Sequence, residues 1–284
     1  MSGAPPTGLE VFFEQYFNFD ALFKEVPNTN ETWFEFILDG FLVTLELSLI
    51  GGVLSLAWGL ILAVIRQLPG RAMAPVRAVT IGYIDAFRGV PLLLVLLLIS
   101  GSLPPIVDAL GLPAELGAPD WLGRVDAFWY GILGITLTYG AYMAEVYRAG
   151  IEAVPEGQME AARSLGMSHG KAMRFVIVPQ AVRKVVPPLL NDFIALMKDT
   201  SLLYALALTP GEVVNAGQDM LVTEANSTGF VFGAVLFLIV TIPLARLVDW
   251  LIKRDQAKSR RGGGGVAGPP VATEPAGGPA GATA

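Results

Sequence analysis

Residues 160–179 read EAARSLGMSHGKAMRFVIVP, a polar stretch between long apolar runs. The run Glu-Ala-Ala-Arg strongly favours a helix, and Gly166 can end that helix in a left-handed conformation. A second helix can begin near Ser168 and continue to Pro179. Its apolar face would consist of Ala172, Phe175 and Val176. The spacing predicts two short helices joined by a glycine turn, a rigid knob that could fit a groove on another protein. The same residues also permit an ordinary connector between two membrane spans.

The composition is that of a membrane protein. Of the 284 residues, 53% are hydrophobic and 15% are charged, values outside the usual range of soluble proteins. The absence of cysteine excludes disulfides and thiolate metal sites, and the sole histidine, His169, has no partner at metal-ligand spacing. The phosphate-binding motif G-x-x-x-x-G-K-S/T does not occur. We therefore expect a chain that is not an enzyme, holds no cofactor and does not itself hydrolyse ATP.

Apolar segments predict an all-α integral membrane protein with five transmembrane helices. They cover about residues 36–65, 76–100, 128–147, 185–197 and 229–252. The second segment is interrupted at residues 89–91, where glycine and proline are expected to break the helix. Residues 101–126 and the acidic stretch after the fourth segment are predicted loops.

The basic residues predict the orientation of these spans. Lysine and arginine concentrate in the connections after the first and third spans and in the C-terminal segment, whereas the other connections are acidic. By the positive-inside rule, the N-terminus lies outside and the C-terminus inside. The connection at residues 150–182, which holds the predicted knob, then lies in the cytoplasm.

Two terminal segments flank the predicted transmembrane domain of residues 36–252. Residues 1–35 form an extracytoplasmic segment whose aromatic residues recur at near-helical spacing, which favours an interfacial amphipathic helix over a partly ordered tail. These aromatic residues are Phe12, Phe13, Tyr16, Phe17, Phe19 and Phe23. Residues 253–284 are basic and then rich in Gly, Pro and Ala, a composition that predicts a disordered cytoplasmic tail.

The segment that begins at Glu160 resembles the EAA loop in the membrane-spanning subunits of ATP-binding-cassette importers. That loop has the pattern Glu-Ala-Ala, three residues, Gly, nine residues, Ile-x-Leu-Pro. The matching positions are Glu160, Ala161, Ala162, Gly166 and Pro179, with valine in place of both Ile and Leu. Flanking motifs resemble the polar amino acid branch of these permeases. They are Phe87-Arg-Gly89, Tyr142-Met-Ala-Glu145, Pro187-Pro188-Leu189 and Lys198-Asp-Thr-Ser-Leu202.

The resemblance implies the permease subunit of an importer for a polar amino acid such as glutamate or glutamine, with the type I importer permease fold. It implies a multi-pass protein of the cell membrane, in contact with lipid, that forms the translocation pathway as a dimer with an identical or paralogous permease. Two ATPase subunits, which bind the ATP, would engage the matching loop residues from inside. A solute-binding protein would dock from outside, and no nucleic acid partner is expected.

Ionisable residues within the predicted spans are candidates for the substrate pathway, since charges in hydrocarbon are costly and usually face water or a partner. The candidates, with two neighbouring hydroxyls, are Arg88, Glu145, Lys198, Asp199, Thr200 and Ser201. Arg88 could bind the carboxylate of an amino acid bidentately, and Asp199 with the hydroxyls could accept from its ammonium group. The basic residues at the helix breaks favour an acidic or amide side chain on the substrate. Alternatively, Arg88 only neutralises Asp85 or Glu145.

The alternative function is a self-sufficient secondary transporter or channel for a small polar solute. In such a protein the buried charges would form an ion relay. It would have no need of the predicted cytoplasmic knob, and this feature favours the importer.

Overall fold

The computed structural model describes residues 7–68, 70–109, 126–206 and 212–262. These residues are mostly helical, and the β-type pairing found among them is an isolated bridge between Glu25 and Thr32. The helices are α1 (Gly8–Tyr16), α2 (Trp33–Arg66), α3 (Ala74–Gly89), α4 (Leu92–Ala109), α5 (Asp126–Glu152), α6 (Glu156–Ser164), α7 (His169–Ala172), α8 (Val178–Asp199), α9 (Val213–Glu224) and α10 (Thr228–Gly262). Shorter helical turns are Phe19–Phe23, Arg71–Met73, Thr200–Leu206 and the π turn Met173–Ile177.

Two described helices, α2 and α10, are long and apolar enough to cross a membrane, and α3 with α4 would make a third span. The predicted third span lies within α5 and the predicted fourth within α8. Both of these helices carry several polar and charged side chains. The count of five spans and their orientation stay predictions.

α3 and α4 form one broken unit. The helix axes bend by 106° between the Arg71–Gly89 and Leu92–Ile106 segments. Val90 has the extended conformation (φ −99°, ψ 132°) that a residue before proline prefers, so α3 ends there and α4 begins after Pro91. The interruption predicted at residues 89–91 is therefore confirmed.

Two helices are longer than the sequence predicted. α4 continues through Pro104 and Pro105, so the start of the predicted loop at 101–126 is helical, while residues 110–125 lie outside the described part of the chain. α8 begins at Val178 rather than near residue 185. Pro179 does not end a helix here, because it lies in the first turn of α8, where a missing N–H is tolerated.

Helical structure also forms at two places where irregular structure was predicted. α9 occupies part of the expected acidic loop, and it buries Val213, Ala216 and Met220 at helical spacing. α10 continues through residues 253–262, the start of the predicted disordered tail, because Lys, Arg, Gln and Ala are good helix formers. Residues 263–284 lie outside the described residues.

The core is built on the close approach of α2 and α5. A Cβ atom at Gly59 would lie 2.8 Å from the carbonyl oxygen of Gly140, and a Cβ atom at Gly140 would lie 2.5 Å from Cδ1 of Trp58. Residues without side chains allow membrane helices to pack backbone to backbone. Beside this contact lies a small buried cluster of Leu62, Ile84, Ala141 and Ala144, and a larger cluster joins Leu47 of α2, Leu96 of α4, Ile135 of α5 and Leu196 of α8.

The substitution Gly59→Ala is expected to destabilise the folded protein. The added methyl group would lie 2.8 Å from the Gly140 oxygen and 3.0 Å from the Ala144 nitrogen, so α2 and α5 would have to separate. Overpacking of this kind typically costs about 1–3 kcal/mol. The midpoint of thermal unfolding of the detergent-solubilised protein, measured by size-exclusion chromatography after heating, should fall by several degrees.

Gly82→Ala in α3 is the matched control, because a Cβ atom added there meets no atom within 4 Å. This variant should unfold at the same temperature as the wild type or slightly above it, since alanine favours a helix more than glycine does. Equal midpoints for the two variants would show that the α2–α5 contact is not closely packed.

Candidate functional site

A cleft of about 450 Å³ opens beside the break between α3 and α4. Its volume falls in the range of ~300–1,000 Å³ typical of small-molecule sites. α3, α5 and α8 supply its polar lining. The polar residues are Arg88, Thr138, Tyr139, Tyr142, Asp192 and Asp199.

The acidic side of the cleft is formed by α8. Asp192 and Asp199 are seven residues apart, so they lie on the same face of that helix. The hydroxyl of Tyr139 donates a hydrogen bond to Oδ2 of Asp199 at 2.7 Å. Oδ2 of Asp192 is buried and accepts no hydrogen bond from the described residues. The cleft therefore offers an acceptor that its own helices leave unused.

Arg88 forms the basic side of the cleft, at the last turn of α3. Its guanidinium lies 5.8 Å from the centre of the Tyr142 ring, and the Tyr142 hydroxyl donates to the Arg88 carbonyl oxygen at 3.4 Å. Nη1 of Arg88 lies 3.9 Å from Oε1 of Glu145, and 41% of the Arg88 side chain is exposed. The guanidinium is thus held at the cleft while most of its donors stay available to a ligand.

Glu145 lies beside the cleft and joins three helices. Arg66 of α2 pairs with Oε1 of this carboxylate, and Nε of Arg148 donates to Oε2 at 2.7 Å. Arg148 also pairs with Glu152, one turn further along α5. Because these two arginines are closer than Arg88, the negative charge of Glu145 is compensated without Arg88.

The predicted pathway residues divide into two groups. Arg88 and Asp199 line the cleft, and Lys198 is exposed outside its lining. The hydroxyls of Thr200 and Ser201 donate to the backbone oxygens of Met197 and Lys198 at 2.7 and 2.6 Å, and neither residue lines the cleft. The prediction for Arg88 allowed pairing with Asp85 or Glu145, and the ion pair that forms between described residues is the one with Glu145.

Sequence reasoning missed the other half of the cleft. Asp192, Thr138 and Tyr139 were not candidates, and Tyr142 was noted only as part of a flanking motif. The seven-residue spacing of Asp192 and Asp199 in an apolar helix was the available signal for one shared polar face. The tyrosines gave no such signal, because nothing in the sequence shows which residues of α5 meet α8.

The lining residues suit a zwitterion. A guanidinium can donate two parallel hydrogen bonds to a carboxylate, and aspartate oxygens can accept from an ammonium group. Both kinds of group line one cleft. Among the described residues no cluster of three or more His, Asp or Glu could hold a metal ion.

The predicted knob has the expected glycine turn. α6 ends in a Schellman motif: the Met167 N–H donates to the Ala162 oxygen at 3.1 Å, and the Gly166 N–H donates to the Arg163 oxygen at 3.0 Å. Gly166 has φ +81°, the left-handed value predicted for this position. Ser168 then caps α7 by accepting from the Lys171 N–H at 3.4 Å.

The surface of the knob differs from the predicted apolar face. Ala162 of α6 and Ala172 of α7 are buried, so these two residues mark the inner side of the knob. Phe175 was predicted on the same face as Ala172, but it is 64% exposed because the π turn changes the direction of the side chains. Leu165 at the turn is 81% exposed. Glu160 and Ala161 are exposed as well, so the outer side combines charged and apolar groups.

The knob is fixed to the ends of α5 and α8. A small buried cluster beneath it contains Val154, Ile177 and Ala181. The side chain of Gln180 at the start of α8 donates to that of Gln158 in α6 at 3.2 Å. The knob is therefore continuous with the two helices that carry Tyr139 and Asp199.

The chain is similar to known transport proteins. The family described as "binding-protein-dependent transport system inner membrane component" matches residues 55–255. The chain is 34% identical over 225 residues to the probable glutamine ABC transporter permease protein GlnM of Bacillus subtilis (strain 168), covering 78% of this chain and 94% of GlnM. It is 36% identical over 217 residues to the inner membrane amino-acid ABC transporter permease protein YhdY of Escherichia coli (strain K12). That match covers 76% of this chain and 55% of YhdY, so the chain spans about half the length of this relative.

The fold is also similar to that of a solved protein. A chain in the crystal structure of an amino acid ABC transporter with histidines superposes with a TM-score of 0.66 at 28% identity, covering 78% of this chain and 95% of that chain. Other similar permeases are named for glutamate/aspartate import and for arginine transport. The chain is an all-α, multi-pass membrane protein that belongs to the family of binding-protein-dependent transport system inner membrane components, the permease subunits of type I ABC importers.

Proposed function

We propose that this chain forms half of the translocation pathway of an ATP-driven importer of polar amino acids and couples that pathway to a separate ATPase. The observation that carries this function is the course of α5 and α8. Both helices line the cleft, and both reach the knob with the EAA pattern. A movement of the knob would therefore move the polar groups of the cleft. Family membership disfavours a self-sufficient secondary transporter or channel.

The lengths of these helices suit alternating access. At 1.5 Å per residue, the cleft residue nearest the knob lies about 15 Å from the end of α5 and about 20 Å from the start of α8. Packed helices move as rigid bodies, and the translocation cycle is then a rocking of helices around the cleft. We propose that closure of the ATPase subunits draws the two knobs of a permease dimer together.

The proposed partners follow from the surfaces of the chain and from the family. The exposed Glu160, Leu165 and Phe175 form the side of the knob that would enter a groove on the ATPase, which binds the ATP. A solute-binding protein would deliver the amino acid from outside, as the family description implies. A second permease, identical or paralogous, would complete the pathway. Lipid surrounds the assembly, and no nucleic acid or cofactor takes part.

The charged groups of the cleft match the carboxylate and ammonium groups that all amino acids share. We propose that Arg88 binds the carboxylate, while Asp192 or Asp199 accepts from the ammonium group. One carboxylate of the cleft then remains for the side chain of the substrate. The names of similar permeases span glutamine, glutamate/aspartate and arginine, so they support an amino acid without selecting one.

The remaining carboxylate argues against part of the sequence-based prediction, which favoured an acidic or amide side chain on the substrate. That preference counted Arg88 and Lys198 as two cations near the substrate, but Lys198 does not line the cleft. One guanidinium against two carboxylates disfavours an acidic side chain, since like charges would meet. We propose a substrate whose side chain donates hydrogen bonds, such as an amide or a guanidinium.

Cysteine labelling tests the orientation. Ser164→Cys, on the exposed side of α6, should react with a membrane-impermeant maleimide only after the cells are permeabilised, because the knob is proposed to face the cytoplasm. Glu31→Cys, before α2, should react in intact cells. The native chain contains no cysteine, so each label is unique. Reaction of Ser164→Cys in intact cells would place the knob on the wrong side for an ATPase.

Gly166→Val is expected to uncouple the ATPase from the permease. A β-branched residue resists φ +81°, and the left-handed conformation costs such a residue about 1–2 kcal/mol or more. The turn should distort locally, so insertion should persist while substrate-stimulated ATP hydrolysis falls several-fold. Both are measurable by quantifying the purified complex and its phosphate release.

Gly170→Val is the matched control for this experiment. Gly170 lies in α7, where a Cβ atom meets no atom within 4 Å and the backbone has an ordinary φ. The control should retain most of the stimulation. Full stimulation in Gly166→Val would separate the knob from the coupling mechanism.

Arg88→Lys is expected to weaken substrate binding by roughly tenfold or more. Lysine keeps the charge but loses the planar pair of donors, and a hydrogen bond to a charged group contributes about 1.5–3 kcal/mol. Uptake of labelled glutamine, glutamate and arginine into proteoliposomes that contain the ATPase and binding protein would give the concentration for half-maximal rate. Asp192→Asn should raise the same concentration, most strongly for substrates whose side chains donate hydrogen bonds.

Arg66→Lys and Asp85→Asn are the controls. Arg66 pairs with Glu145 as Arg88 does, but it lies outside the cleft lining, and Asp85 is an exposed carboxylate on α3. Both controls should leave the half-maximal concentration near the wild-type value. If Arg66→Lys and Arg88→Lys behave alike and lower only the amount of folded protein, Arg88 has a structural role.

A further inference from the structure

The N-terminal helix α1 is defined by its own capping residues. Thr7 and Glu10 form a capping box: the Thr7 N–H donates to Oε2 of Glu10 at 2.7 Å, and the Glu10 N–H donates to the Thr7 hydroxyl oxygen at 3.4 Å. The hydrogen bond from the Thr7 backbone holds the pKa of the Glu10 carboxyl below its usual value. A helix of nine residues thus has a fixed start.

The end of α1 is attached to the start of α10. The Ser227 N–H donates to the Gln15 oxygen at 2.8 Å, and the side-chain amide of Asn226 donates to the Glu14 oxygen at 3.2 Å. The Asn18 N–H donates to the Thr228 hydroxyl oxygen at 3.1 Å. These bonds use the backbone of the segment. They hold α1 in place without covering its side chains.

The following turn strengthens the attachment. Ala21 and Leu22 are buried in a cluster with Trp33 and Ile37 of α2 and with side chains of α9. Lys24 pairs with Glu224 at 2.7 Å. The whole segment from α1 to α2 is therefore docked on the bundle, rather than trailing from it.

The apolar face of α1 is nevertheless uncovered. None of its residues is buried, and Leu9 is 70% exposed while Phe13 is 53% exposed. The exposed rings pack against one another, with centroids of Phe12 and Tyr16 5.1 Å apart and those of Phe13 and Phe17 5.8 Å apart. Glu14 lies on the other side of the helix. An amphipathic helix is thus docked by its backbone with its aromatic side turned away from the protein.

The position of α1 indicates what covers this aromatic side. α2 begins at Trp33 and α10 at Thr228, and both helices are long and apolar enough to span the membrane. Partly exposed apolar side chains of α10 begin at Phe230, about 3 Å along the helix from Thr228. The headgroup region beyond the hydrocarbon core is about 5–8 Å thick on each side, so α1 lies at its level. Aromatic rings accumulate at that boundary.

We infer that α1 and the turn Phe19–Phe23 form an anchor in the membrane–water interface, with the aromatic face in contact with lipid. The lipid contact is made by ring burial and not by charge attraction, because Glu10, Glu14 and Asp20 beside the rings are acidic and the neighbouring Lys24 is paired with Glu224. The anchor therefore binds the boundary of a bilayer whether or not its lipids are anionic. Its location in the outer leaflet follows from the proposed orientation, but the lipid contact does not depend on it.

Spin labelling of the full chain in lipid bilayers tests this inference. Phe12→Cys places a label on the aromatic face, and Glu14→Cys places a label on the opposite face two residues away. Each variant is reconstituted into vesicles of phosphatidylcholine alone and of phosphatidylcholine with one quarter phosphatidylglycerol. The accessibility of each label to oxygen, which enters lipid, and to a water-soluble nickel chelate is then measured by power saturation.

The label at position 12 should show an oxygen-to-nickel accessibility ratio several-fold above that at position 14, with the same values in both lipid mixtures. Leu9→Cys provides a second position on the aromatic face, because Leu9 is 70% exposed and lies one turn before Phe12, and it should follow position 12. Equal nickel accessibility at positions 12 and 14 would overturn the inference, because both faces would then be in water. Low accessibility to both reagents at position 12 would also overturn it, since another protein and not lipid would cover the aromatic face.

Discussion

Gly150 of α5 lies so close to Val185 of α8 that any side chain larger than hydrogen would overlap the valine. This contact holds together two helices that are separated in the sequence by the knob. On one side of this contact, the same two helices supply most of the polar groups of the cleft. On the other side, they end at the cluster of Val154, Ile177 and Ala181 under the knob. The cleft and the knob are consequently two ends of one packed unit. A looser contact here would allow the knob to move without the cleft.

The charges in this unit are of two physical kinds. Glu145 is surrounded by arginines from its own and neighbouring helices, so its charge stabilises the assembly of α2, α3 and α5. Asp192 has a buried oxygen that receives no hydrogen bond within the described part of the chain, an arrangement that typically costs about 1–3 kcal/mol. A protein that keeps such a group in its interior is less stable than one with a paired or apolar residue at that position. The difference separates a carboxylate that holds helices together from one that is available to a ligand.

Features that depend on neighbouring residues were predictable from the sequence. The left-handed Gly166 follows from a helix-forming run that meets glycine, and the break at residues 89–91 follows from the conformational limits of proline and the residue before it. Pro179 misled the same reasoning, because a proline at the end of one predicted helix is also acceptable in the first turn of the next. The local sequence allows both, and the packing of Ile177 and Ala181 under the knob selects the continuous helix.

Features that depend on contacts between distant residues were not predictable. Tyr139 and Asp199 are 60 residues apart, and only the packing of α5 on α8 brings them within hydrogen-bond distance. Lys198 is adjacent to Asp199 in the sequence, yet the helix directs the two side chains to different surroundings. The composition of the cleft, including the balance between its cation and its carboxylates, became visible only with the helices in place.

The π turn at Met173–Ile177 lies inside the EAA pattern and changes which side chains after Gly166 share one face. The buried positions after the glycine turn are Ala172, Ile177, Ala181 and Val185, so the first step is five residues and the later steps are four. A five-residue step is the repeat of a π turn, and an α-helix of the same sequence would rotate everything beyond it by about 100°. The segment after Gly166 therefore contains one residue more than an α-helical turn needs. This extra residue rotates the following helix about its axis. It lets the knob and α8 bury side chains on the same side, and it sets the direction in which the exposed outer surface of the knob faces.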